Sequence, residues 1–339
     1  MAVPRFALTD AEWLAHRHVE GQDAIRFLHL PRADHRRAPF LTDEYLGADR
    51  PLHDLAVTQC LEQAAPRRMG FLFHSAFCGS TMLLSALDRP GVAMGLSEPM
   101  LLNDLVGFRR RGAQPAAVAR LADAATRLLA RPFGPGETVV VKPSNVLNPL
   151  AELLLALRTD SNAVLLHAPL ETFLISVVRK GLWCRLWVRE LLEGLVTDRA
   201  VDLGFEPGDY FRQSDLQVAA VGWLAQHVLF HRLANKLGPA RVRTLDSETL
   251  TAEPAAVLTA AVQHFGLGAG AAEIAAMATG PAFTRHSKHG TAFDAAQRAA
   301  EYADARSAHA DEIDKVLAWA GEVARSAALP MQLPHPLLG

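Results

Sequence analysis

The stretch that most limits what this chain can fold into is residues 69–87. Met69-Gly70-Phe71-Leu72-Phe73-His74 is a short continuous apolar run, of the length and composition of a strand buried on both faces. It ends in a turn of mostly small residues, Ser75-Ala76-Phe77-Cys78-Gly79-Ser80. From Thr81 to Leu87 the apolar side chains then recur at helical spacing. A strand that passes through a glycine loop into a helix leaves the first helical N–H groups without intrahelical acceptors. Those groups and the helix dipole make an anion site. Gly79 lets backbone approach a phosphate, and Ser80 and Thr81 add hydroxyl donors. The bland alternative for the same residues is an ordinary capped helix after a strand.

Further apolar runs at Thr138 to Val141, Ala163 to Leu166 and Val242 to Leu245 read as buried strands. Helical patterns separate them at Ala116 to Leu129, Leu150 to Leu157, Leu216 to Leu237 and Ala255 to Phe265. This alternation predicts a three-layer α/β fold with a central, mainly parallel sheet. Residues 1–66 differ, with basic clusters such as HRHVEG and RADHRRAPF between short apolar pieces. Ala24 to Leu30 reads as a strand and His53 to Ala64 as a helix. This segment is expected to be an N-terminal extension packed on a main domain of residues 67–339.

Composition matters here mainly for what it excludes. Half of the 339 residues are hydrophobic and the formal net charge is −2, so bulk electrostatics does not favour nucleic acid. Any anionic ligand must be held by local groups. No apolar run reaches the roughly 18 residues of a membrane helix, and the N-terminus lacks a signal-like apolar core. Cys60, Cys78 and Cys184 show no metal or disulfide spacing, so a reducing, cytoplasmic location is expected and no metal site. His227 and His231 share a helix face, but the glutamate of a zinc HExxH motif is missing. Trp183, Trp187 and Trp223 read as core or as the wall of an acceptor pocket.

Laid on the phosphate-loop pattern GxxxxGK[ST], residues 74–81 match only at Gly79 and Thr81. Ser80 stands where the lysine would clamp a γ-phosphate, which weakens a kinase reading. Cys78-Gly79-Ser80-Thr81 instead resembles the end of the [RK]-S-G-[TS]-[TS] loop of sulfotransferases. In that family the loop holds the 5′-phosphosulfate of 3′-phosphoadenosine 5′-phosphosulfate (PAPS). Other segments resemble the family in the same order. Leu96-Ser97-Glu98-Pro99 is similar to the segment that carries the general base. Val139-Val140-Val141-Lys142-Pro143 is similar to the strand ending in a catalytic lysine. Ala163 to Lys180 resembles the 3′-phosphate segment, with Ser176 at its serine. Trp223 to Leu250 is similar to the segment ending YEDL, and Thr284-Arg285-His286-Ser287-Lys288 to a late basic loop.

The resemblance implies a P-loop nucleotide-binding-like, sulfotransferase-like fold and transfer of a sulfonate from PAPS, with PAP as product. The acceptor would be a hydroxyl or amine of a small molecule. Glu98 and Lys142 would be catalytic. Phe77, Cys78, Gly79, Ser80, Thr81, Ser176, Lys180, Arg285 and Lys288 would bind the cofactor. Two departures stand out: Phe77 replaces the loop's basic residue, and Ala168, beside His167, replaces the arginine that grips the 3′-phosphate. Arg179, Lys180, Arg285 and Lys288 are the candidates to compensate. The alternatives are a non-catalytic nucleotide-binding protein of the same fold and a nucleotide-dependent kinase.

Overall fold

A computed structural model describes residues 4–284 and 295–339. The chain begins with three strands, β1 Trp13–Val19, β2 Ala24–His29 and β3 Leu52–Ala56, which form an antiparallel sheet in that order. The residues read as a helix from His53 are thus divided. Leu52–Ala56 pairs with β2, and only Val57–Gln63 is helical. Pairing along a half-buried edge overrides local helix preference there.

The second sheet holds β4 Gly70–His74, β5 Ala93–Ser97, β6 Thr138–Lys142, β7 Asn162–His167 and β8 Val242–Asp246. Their order is β5-β6-β4-β7-β8, and every pairing is parallel. The chain is therefore a three-layer α/β protein. One face of the sheet is covered by helices Ser80–Leu87, Leu170–Arg179, Leu182–Thr197 and the first part of Asp215–Leu237, packed on Leu72, Val140, Val164 and Leu166. The other face carries Phe71, Phe73, Val139, Val141 and Leu165, covered by Met100–Arg110, Pro115–Leu129 and Ala151–Leu157. Alternate residues of each strand serve the two cores, which explains the unbroken apolar runs.

The small antiparallel sheet joins the second core through Trp13, Ile25 and Phe27. Arg131 ties it down. Its guanidinium donates to the carbonyls of Leu8, Asp10 and Trp13 and lies over the Phe27 ring at 5.6 Å. The C-terminal residues return to the sheet edge: Thr244 pairs with Pro336 in parallel, with Thr244 N–H on His335 O and Leu337 N–H on Thr244 O. Among the described residues, no helix is long and apolar enough to cross a membrane.

Candidate functional site

β4 is the central strand, and the chain leaves it towards β5 on one side while β7 lies on the other. The crevice at the carboxyl ends of such a sheet, where the strand order reverses, is where open α/β folds place ligands. The loop after β4 stands there. Ala76, Phe77 and Gly79 all have left-handed backbones, with φ of 72°, 52° and 81°. Two of these are not glycine, a strained arrangement that must be held by its surroundings. Here Ser75 N–H donates to Leu166 O, Ala168 N–H to Ser75 Oγ, and Asn148 Nδ2 to His74 O.

The helix Ser80–Leu87 starts at Gly79. Its first bond from the loop is Leu83 N–H to Gly79 O. The N–H groups of Gly79, Thr81 and Met82 have no hydrogen-bond partner among the described residues. Unmatched amides after left-handed residues form an anion-binding concavity. Ser80 is buried and Thr81 half-buried beside them. Cys78 faces inward and donates to Leu166 O. Burial pushes its thiol up to about 11, outweighing the opposing pull of the Ser80 and Ser75 backbone and of the Lys142 charge. It is a structural member of the loop, not a thiolate nucleophile.

Glu98 and Lys142 meet on the β5–β6 side of this loop. Ser97 pairs with Lys142 at the ends of the two strands, and Glu98 N–H donates to Lys142 O at 2.7 Å. Glu98 then turns through a left-handed backbone, φ 50°, and its Oε1 lies 2.5 Å from Lys142 Nζ. The lysine side chain is fully buried, while the carboxylate is 22% exposed.

Two residues that sequence reasoning missed complete this group. His74, the last residue of β4, accepts from Ala76 N–H at Nδ1, which leaves the ring proton on Nε2, 3.9 Å from the same Glu98 oxygen. Phe40 lays its ring 5.1 Å from Lys142 Nζ. It is held there because Leu41 N–H donates to Ser97 O and Met100 N–H to Leu41 O. The N-terminal segment thus contributes a wall of the site. No motif announces Phe40. His74 was visible only as the residue filling the first glycine position of the phosphate-loop pattern.

The remaining candidates lie on the other side of the loop. Ser176 is buried in its helix; its hydroxyl donates to Thr172 O and shares a hydrogen bond of 2.7 Å with Tyr302. Arg179 pairs with Glu301 and covers the Tyr302 ring. Lys180 stands with Nζ 5.3 Å from the ring of Phe77, so a cation lies over the aromatic residue that replaces the loop's basic one. Phe77 also touches Phe173 and Trp187, and Trp187 stacks on the exposed Trp183. Ala168 offers only its carbonyl, which accepts from Trp223 Nε1. Arg285 and Lys288 lie outside the described residues.

His227 and His231 do not form a pair: His227 stacks on Trp223, whereas His231 meets Asn235. No cluster of three or more His, Cys, Asp or Glu suited to a metal occurs among the described residues.

The solved structures similar to this chain include three sulfotransferases. One is a sulfotransferase domain from the curacin biosynthetic pathway, 18% identical over 68% of this chain and 85% of that one, with a TM-score of 0.42. The second is a sulfotransferase from Mycobacterium tuberculosis H37Rv, 16% identical over 66% and 75%, TM-score 0.42. The third is a sulfotransferase domain from the olefin synthase of Synechococcus PCC 7002, 16% identical over 66% and 81%, TM-score 0.41. No protein-family model and no curated protein matches the chain.

Proposed function

We propose that the chain is a sulfotransferase that moves a sulfonate group from PAPS to a hydroxyl or amine of a small-molecule acceptor. The observation that carries this reading is the Glu98–Lys142 pair, set on the same sheet edge as a loop with unmatched amides. An acid and a cation next to an anion site are what sulfonate transfer requires. One must take the acceptor's proton, and the other must neutralise the leaving phosphate.

The amides of Gly79, Thr81 and Met82, with the Ser80 and Thr81 hydroxyls, would hold the phosphosulfate end. PAPS, when bound, supplies a sulfonate activated by a phosphate leaving group. Before binding, Lys142 neutralises Glu98. An anion in the loop competes for the ammonium group, so Lys142 turns to the oxygen that departs with phosphate. Glu98, released, accepts the acceptor's proton as the new O–S or N–S bond forms and the old S–O bond breaks. His74 Nε2, 3.9 Å from the carboxylate, adds a polar neighbour but no direct hydrogen bond, and the Phe40 ring excludes water from the lysine.

A second reading is a non-catalytic nucleotide-binding protein of the same fold. It is favoured by Phe77 at the loop's basic position and by the engagement of Ser176 with Tyr302. The kinase reading lacks a lysine at Ser80. Equilibrium binding separates the three. The sulfotransferase reading expects saturable binding of PAP without magnesium, tighter than ATP, and turnover of PAPS. PAP binding without turnover favours the second reading. ATP binding that depends on magnesium and exceeds that of PAP overturns the proposal.

A further inference from the structure

On the side of the loop away from Glu98, a cavity of about 400 Å³ lies at the carboxyl ends of β7 and β8. That is within the ordinary range for small-molecule sites, roughly 300–1,000 Å³. Its wall is largely apolar, with Leu170, Trp223 and Leu245 on one side and Met331, Leu333 and Leu337 of the C-terminal tail on the other. The tail is fixed there by its pairing with Thr244, whose hydroxyl also donates to Pro334 O.

The polar lining is sparse and unusual. His227 is 3% exposed; among the described residues its ring nitrogens make no well-formed hydrogen bond, and its one polar contact is a loose one with the Met331 backbone of the tail. Its ring is clamped parallel to Trp223 at 4.4 Å, and His167 stands edge-on at 5.6 Å. His167 Nε2 is 3.8 Å from Asp246 Oδ2, too far for a direct hydrogen bond. The other oxygen of Asp246 is occupied, accepting from Glu248 N–H as the cap of the next helix.

A buried imidazole held by no more than a loose backbone contact is costly unless something in the cavity pairs with it. Burial first, and then the neighbouring His167, push the His227 ring down to about 3 against the opposing Met331 backbone, so the ring is neutral and can accept from a proton-bearing group. Among the described residues, Asp246 is the one lining residue with a formal charge, and it is negative. An anion would find no countercharge among these side chains. A cation would find a carboxylate, an imidazole acceptor and an indole wall.

From the juxtaposition of buried His227, Asp246 and the Trp223 wall in one cavity, we infer a second binding site in this protein, for a small primary amine carried on an apolar body. The ammonium group bridges Asp246 and the imidazoles, and the apolar body lies against Leu170, Leu245 and the tail.

The test uses the full chain and three probes of one shape, phenethylamine, phenethyl alcohol and phenylacetate, titrated by calorimetry at neutral pH. Phenethylamine is expected to bind at one site per chain, and phenylacetate not at all. A hydrogen bond to a charged partner makes the alcohol about tenfold weaker than the amine or more. Asp246→Asn retains a good helix cap, so the fold is kept. It is expected to bring the amine down to the affinity of the alcohol. His227→Phe fills the cavity and abolishes binding of both. Absence of saturable amine binding overturns the inference, as does equal binding of amine and alcohol to the unaltered chain. Amine affinity unchanged in Asp246→Asn overturns it even if His227→Phe fails to fold.

Discussion

Replacing Glu98 by Gln tests the pairing at the centre of the site. The change keeps shape and one acceptor oxygen but removes the charge opposite an ammonium group that is fully buried. Breaking a buried pair costs about 3–5 kcal/mol. Here the carboxylate is 22% exposed and the amide oxygen still accepts, so the cost falls at or just below that range, about 2–3 kcal/mol. Lys142→Met leaves Glu98 in contact with water and costs less, about 1–2 kcal/mol. The double variant leaves no buried charge, so its stability is close to that of Lys142→Met alone. The coupling energy is then about 2 kcal/mol, well outside the roughly 0.3–0.5 kcal/mol scatter of independent sites. Urea unfolding followed by far-ultraviolet dichroism and by tryptophan fluorescence measures all four forms, provided the two signals coincide. Additive single losses would refute the reasoning, because they would mean that Lys142 does not depend on Glu98.

Gly79→Ala places a side chain at φ 81°, with its Cβ 3.3 Å from Leu250 and Met82, and is expected to cost about 1–2 kcal/mol and to weaken anion binding, read by melting with and without PAP. His35 is buried beside Phe133, with its ring pushed down to about 4 by burial and then by Arg32 and Arg36. The unfolded chain therefore takes up a proton that the folded chain refuses as pH falls from about 6.5 towards 4, so stability drops by up to about 1.4 kcal/mol per pH unit in that window. His35→Phe should flatten that part of the stability profile, and an unchanged slope would exclude His35 as its source. Cys60 and Cys78 are buried, with thiols raised to about 12 and about 11 by burial, so a thiol reagent at neutral pH should label neither before unfolding. Prompt labelling of Cys78 would show that the loop opens.

The central sheet was readable because its strands are buried on both faces. β4, β6 and β7 each appear as an apolar run, whereas β8, Val-Arg-Thr-Leu-Asp at the sheet edge, shows only Val242 and Leu245. β5 escaped as a strand because Gly95 and Ser97 interrupt it. A Cβ at Gly95 would lie 3.1 Å from Asp88 and Leu84, so close packing replaces side-chain bulk at that point. Glu98 and Lys142 could be singled out one at a time, but their contact joins residues 44 apart and depends on strand register. Phe40 and the tail over β8 reach their places through tertiary pairing that no local pattern encodes. Ser176 looked like a ligand group because its partner, Tyr302, comes from a helix 126 residues away.

The most direct measurement of the proposed chemistry needs no knowledge of the acceptor, since water can take its place. PAPS is incubated with the unaltered chain and with Glu98→Gln, and release of PAP and sulfate is followed beside the equilibrium affinity for PAP. A general base contributes roughly 10²–10⁴ in rate, so Glu98→Gln should lose at least about a hundredfold in turnover. Its affinity for PAP should not fall, because Lys142 then has no carboxylate to leave when the anion binds. Equal turnover by the two proteins, or no PAPS turnover by the unaltered chain, would contradict the assignment of Glu98 and Lys142 to sulfonate transfer.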